Sequence, residues 1–174
     1  MLLKPTDLFV LIWLATRSST PWRGTIRDLA ATLGIAPSQV QYALTRGERC
    51  HLYSRAQRRV LVPHLLEFLE HGIRYALPAE PGPLAQGVAT AHSAPVLQAA
   101  LTGAGDPALT AMVWPHLDGD VMGQAIDPLH PAVPALAMRD ERFHAVLALV
   151  DSLRVGGARE RTVAAALLRP RLSA

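Results

Sequence analysis

The chain has 174 residues, half of them apolar, with 17 Lys or Arg against 14 Asp or Glu, and a single cysteine, Cys50. That is enough apolar material to bury a core and too much for a disordered tail, while one thiol builds neither an intrachain disulfide nor a cysteine-based zinc cage. The longest apolar run, Leu8 to Ala15, is far too short to cross a bilayer, and Asp7 abuts it with Lys4 the only cation ahead of it, which is not the pattern of a signal peptide. A cytoplasmic protein with no membrane partner is expected.

Charge is unevenly spread. Residues 1–75 carry ten basic and five acidic side chains, a net of +5, whereas residues 76–174 carry seven and nine, a net of −2. A partner with a dense negative surface, such as duplex phosphates, is therefore expected at the N-terminal half.

Pro5-Thr6-Asp7 opens a first helix running to about Arg17, with Leu8, Leu11, Ile12 and Ala15 on one side. Phe9, Val10, Trp13 and Leu14 make the other side apolar too, so this helix is expected to be covered on two sides, by the two helices that follow it and by later elements or a second subunit. Residues 18–24 read as a loop. Two short helices follow, at about 25–33 and 37–46, joined by a tight turn. Thr25 and Asp28 have the spacing of a capping box. Ala30 is small where two helices approach, Gly34 suits a left-handed residue at a helix end, Ile35 is an apolar anchor and Pro37 fits a first helical turn. Val40, Ala43 and Leu44 face inward, and Gly47 is expected to end the helix.

His51 to Arg59 is polar and basic. Val60 to His71 has helical apolar spacing and stops at Gly72. Residues 73–77 alternate weakly, Pro78 and Pro81-Gly-Pro83 follow, and residues 87–90 are again apolar, which predicts a β-hairpin over 73–90. A short helix at 94–102 ends at Gly103. Strands at 112–115 and 121–126 flank the turn His116-Leu-Asp-Gly-Asp120. An amphipathic helix at 140–154 carries Phe143, Val146, Leu147, Val150 and Leu153 on one face, and a last helix spans about 158–168 beyond Gly156-Gly157.

The stretch from Thr25 to Arg46 resembles the helix-turn-helix of DNA-binding regulators. With a hairpin after it, the chain resembles winged-helix transcriptional regulators, MarR-like in the broad sense. In the commoner arrangement of that family the wing follows the second helix almost directly, whereas here a helix at 60–71 intervenes. The resemblance implies a mainly α fold with a small β component. A winged helix-turn-helix DNA-binding domain would cover 1–90, and an irregular and helical region, for effector binding or dimerisation, would cover 91–174. It also implies a sequence-specific regulator of transcription, acting as a dimeric repressor on double-stranded DNA. Ser38, Gln41, Tyr42 and Thr45 then point outward from the second helix toward bases and phosphates, with Gln39 and Arg46 at its margins. Thr25, Arg27, Arg55, Arg58 and Arg59 are the further expected DNA contacts. The helix at 140–154, with the over-apolar first helix, is the expected homodimer interface, the alternative being that its stripe only closes the monomer core. Trp114, Met112 and Met122 are the expected lining of a small-molecule effector pocket. The alternative is a winged-helix module for protein contacts, such as an antitoxin or a complex subunit.

No enzyme chemistry is expected. His92, His116 and His130 lie among Asp118, Asp120 and Asp127, but no pair has a spacing that fixes a metal geometry. Ser93 and Ser152 lack a Gly-x-Ser-x-Gly context, and Gly103-Ala-Gly105 lacks the strand and third glycine of a dinucleotide site. No cofactor follows from these residues.

Overall fold

The computed structural model describes residues 3–17, 22–101 and 110–173. Among these the chain is mainly helical, with a small β component. Helix α1 (Pro5–Ala15) is its axle. Pro5 occupies the first turn and Asp7 Oδ2 accepts the Lys4 N–H at 2.7 Å, which starts the helix; every side chain from Asp7 to Ala15 is then buried. The covering comes from within the chain, since α1 packs against α3, β2 and α8. Each fully buried Phe or Leu there contributes about 1.5–3 kcal/mol relative to exposure.

Helix α2 (Ile26–Leu33) begins at a closed capping box. Thr25 Oγ1 accepts the Asp28 N–H at 3.1 Å, and Asp28 Oδ2 accepts the Thr25 N–H at 2.7 Å. These bonds from the Thr25 backbone and hydroxyl hold the Asp28 carboxyl below its usual range. Gly34 ends α2 at φ 67°, and the Ile35 N–H returns to the Ala30 carbonyl at 3.0 Å. Helix α3 (Pro37–Arg49) starts with Pro37, and Gln39 Oε1 accepts the Ala36 N–H at 3.0 Å. It does not stop at Gly47. That glycine is a contact point: a Cβ there would lie 3.0 Å from Leu11 Cδ1, so its absence lets α3 lie close on α1.

The polar stretch after α3 folds as a hairpin, β1 (Tyr53–Ser54) and β2 (Arg59–Val60), with Tyr53 opposite Val60 and Ser54 opposite Arg59. Tyr53 and Val60 are buried, while the loop between the strands is exposed. Helices α4 (Val62–His71) and α5 (Ile73–Ala76) follow. The hairpin expected over 73–90 is not formed. Residues 73–76 are helical, burying Ile73 and exposing Tyr75, and four residues of weak alternation cannot separate that from a strand.

Strand β3 (Leu84–Ala89) instead joins β4 (Met112–Pro115) and β5 (Val121–Ala125) in a closed three-stranded barrel. β3 is antiparallel to both partners, pairing through residues 87–89 with β4 and 84–87 with β5, and β4 runs parallel to β5. So tight a closure needs backbones without side chains. A Cβ on Gly87 would lie 2.1 Å from the Trp114 carbonyl oxygen, and one on Gly119 2.1 Å from the Gly87 carbonyl carbon.

A 3-10 turn (Ala91–Ser93) leads to α6 (Pro95–Leu101); the expected stop at Gly103 lies outside the described residues. Helices α7 (Val133–Ala137), α8 (Glu141–Val155) and α9 (Ala158–Ser173) complete the fold. On α8 the buried set takes in Phe143 and the unbroken run from Val146 to Leu153, so it is surrounded rather than one-sided. One hydrophobic cluster links α1, α2 and α3 with α8 and α9. The sheet spans the expected division at residue 90, since β3 before it pairs with β4 and β5 after it.

Two ionic contacts fasten the last helices to the first ones. Arg17 bonds Asp140, and Arg169 makes a two-pronged contact with Glu70 at 2.7 and 2.6 Å. In the core, Asp151 accepts from Trp114 Nε1 at 2.6 Å, Arg154 Nη1 at 2.7 Å and Thr90 Oγ1 at 3.0 Å. Burial nevertheless holds its carboxyl above the usual range.

Candidate nucleic-acid interface

Helices α2 and α3 meet at the Gly34 turn, and the β1–β2 hairpin follows α3 without an intervening helix. The hairpin is strapped to both. Arg55 reaches back to α3, its Nε 3.1 Å from Glu48 Oε2 and its Nη2 donating to Thr45 Oγ1 at 3.0 Å. Arg58 adopts φ 50° in the loop, and its Nη2 donates to the carbonyl of Gly24 at 2.7 Å, directly ahead of the α2 cap. Trp22 packs closely on Gly24, where a Cβ would collide with the indole ring. Gln41, Arg55 and Arg58 thereby border one cleft between α3 and the hairpin, with Ile26, Leu29, Leu44 and Tyr53 beneath them. Burial pushes the Tyr53 phenol up, against the opposing pull of Arg58 and Arg55.

The expected contact residues are distributed unevenly over this surface. Ser38 and Arg27 are exposed, Tyr42 is 60% exposed, and Gln41 is half-buried at the cleft. Gln39 and Thr25 are committed to capping α3 and α2. Thr45 is half-buried, its hydroxyl donating to the Gln41 carbonyl at 2.9 Å. Arg59 is exposed and donates to Gln57 Oε1 at 2.7 Å.

Arg46 turns the other way. Its guanidinium grips the fully buried Asp7 carboxylate, Nε to Oδ2 at 2.7 Å and Nη2 to Oδ1 at 2.6 Å, leaving 12% of its side chain exposed. That bond raises the Arg46 pKa further. Arg46 thus clamps α3 to α1 rather than facing outward. Two residues of the surface carry no sequence signal for a role in it: Glu48, which sets Arg55, and Trp22, which floors the Arg58 latch. Their partners stand seven and two residues away, spacings that obey no local rule.

This chain matches no family model, no curated protein and no solved structure. Function must be read from its own residues.

The other expected sites change. Trp114 is 1% exposed with its N–H bound by Asp151, while Met122 is 64% exposed on β5, so these residues do not line a common effector pocket with Met112. Phe143, Val146, Leu147, Val150 and Leu153 are buried in the core together with α1, so the expected dimer interface is monomer interior. His130 stacks on Phe9 at 5.1 Å, where burial lowers its pKa, and His144 Nε2 meets the Ala89 carbonyl at 2.7 Å. Among the described residues no group of three or more His, Cys, Asp or Glu is placed to hold a metal ion, and no helix is long and apolar enough to cross a membrane.

Proposed function

We propose that the protein is a sequence-specific, double-stranded DNA-binding regulator in which α2 and α3 act as a helix-turn-helix and the β1–β2 hairpin as its wing. The observation that carries the reading is the strapping of an arginine-bearing hairpin to α3, which joins the outward residues of α3 and the guanidiniums of Arg55, Arg58 and Arg59 in one basic surface. In this reading α3 enters the major groove with Ser38, Gln41 and Tyr42 toward base edges. Arg27, Arg58 and Arg59 lie against phosphates, and Arg46 has no part in readout. Occlusion of a promoter makes repression the simplest outcome.

Retention of a random duplex pool, measured by fluorescence anisotropy against salt, tests this. Affinity is expected to fall by about 0.9 log units per log unit of salt for each phosphate neutralised. In the sequences selected from that pool, Gln41→Ala and Tyr42→Ala are expected to weaken specific binding by about 1–3 kcal/mol each, whereas Arg59→Ala weakens all sequences alike. Absence of binding to any duplex at low salt sinks the proposal and favours the protein-contact alternative.

A further inference from the structure

Charge in this chain is divided by place in the fold as well as by sequence. Residues 75–138, which supply all three strands of the barrel, contain no Lys or Arg, whereas Glu80, Asp118, Asp120 and Asp127 fall among them. All four acids are exposed. Asp118 and Asp120 lie in the turn before β5. Glu80 and Asp127 lie just outside the opposite end of the β3–β5 pair, where the Gly82 N–H donates to the Ala125 carbonyl at 2.8 Å. The barrel is therefore acidic, opposite in sign to the surface of α3 and the β1–β2 hairpin.

Apolar side chains sit between those acids. Among the described residues six large apolar side chains are exposed, and three of them belong here: Leu84 on β3, Met122 on β5 and Leu117, 93% exposed, in the turn. Single exposed apolar residues are ordinary, but three on one face mark a contact surface. In the antiparallel β3–β5 pair Leu84 stands opposite Gln124 and Gln86 opposite Met122, so these four side chains share a face. Gln86 Nε2 donates to the carbonyls of Leu117 at 3.1 Å and Gly119 at 2.7 Å, which brings the turn onto that face and fixes it there. A surface rigid before binding loses little entropy on being occupied.

The same features discriminate among occupants. A second copy offering this face would set carboxylates against carboxylates, and a nucleic acid would meet the same repulsion. An added strand needs a free edge, and the barrel is closed. We propose that this face docks a basic amphipathic helix of another protein. Its apolar stripe lies on Leu84, Leu117 and Met122, and its Lys or Arg side chains lie beside the flanking carboxylates. The proposal is independent of the DNA-binding reading, since its surface shares no residue with α3 or the hairpin.

A displayed library of random helical peptides is the probe, selected on the wild-type protein. Enriched sequences are expected to carry Lys or Arg around apolar residues spaced three and four apart. For an enriched peptide, Leu84→Gln with Leu117→Ser is expected to weaken binding at least about tenfold. Asp118→Asn with Asp120→Asn is expected to weaken it about threefold to tenfold and to flatten its salt dependence. All four side chains are exposed, so both variants are expected to keep the wild-type unfolding midpoint. Met122→Gln, at a third exposed position, repeats the apolar test should the first pair disturb the fold. No enrichment, or enrichment of acidic or uncharged peptides, overturns the proposed partner. Peptides held equally by the wild type and the apolar variants overturn the face. A wild type that sediments as a dimer, and as a monomer once Leu84 and Leu117 are replaced, gives the face to a second copy and overturns the proposal.

Discussion

Asp7 carries three bonds at once: the Lys4 N–H that starts α1 and two donors of Arg46 that hold α3 against it. A fully buried carboxylate is tolerable only with such partners, and breaking a buried pair from one side costs about 3–5 kcal/mol because the other charge is left uncompensated. Asp7→Ala is therefore expected to lower the unfolding free energy by about that amount in urea titration, with loss near zero marking the pair as marginal. In the same assay Arg46→Ala is expected to lower stability, and in DNA selection it is expected to leave sequence preference unchanged. Nothing local in the sequence separates this arginine from its exposed neighbours. Its partner stands 39 residues earlier, so only the packing of α1 on α3 tells a clamp from a contact.

At the level of elements, legibility follows the range of the forces involved. The Thr25–Asp28 box, the positive φ of Gly34 and the placement of Pro37 are set within one helical turn, and the sequence reading of that turn matches the structure. The hairpin at 53–60 was hidden because each strand has two residues and its loop lacks the Asn-Gly or Asp-Gly pair that marks tight hairpins. Arg58 takes the left-handed conformation that glycine usually fills, held there by Gly24. The three-stranded barrel was equally hidden, since β3 finds β4 and β5 across more than twenty residues. Its glycines offer a direct check. A methyl on Gly119 would strike the Gly87 backbone, and no side-chain rotation relieves that contact. Gly119→Ala is expected to cost about 3 kcal/mol and to raise amide exchange across β3 and β5 first. Unchanged exchange there would mean the barrel is looser than its geometry requires.

Over the whole molecule the buried stripe of α8 decides how the protein responds to charge. Val146 is fully buried, so Val146→Asp places an unpaired carboxylate in the core and is expected to abolish the cooperative unfolding transition seen by circular dichroism. A folded variant with altered sedimentation would instead restore α8 as an interface. Acid is expected to weaken the fold in two stages. Burial depresses His130, so its neutral form favours the folded state, and that contribution is lost as pH falls below its ordinary 6.5. Arg169 depresses Glu70, whose contribution is present above its ordinary 4.5 and lost as pH falls below it. Urea midpoints recorded from about pH 7 down to about pH 3 are expected to fall in that order, and Arg169→Gln to flatten the lower stage alone.

The sequence by itself determined the helical class, the capped turn between α2 and α3, the concentration of basic charge before residue 75 and the demand that α1 be covered on two sides. Those follow from spacing, caps and composition, which act over a few residues or over none in particular. That β2 and α8 complete the cover of α1, where Arg46 points, which residues make the hairpin, and that α8 belongs to the core were decided only by tertiary packing. Amphipathic and apolar stripes state that a surface must be buried without stating against what, because apolar burial has no direction and no partner preference of its own.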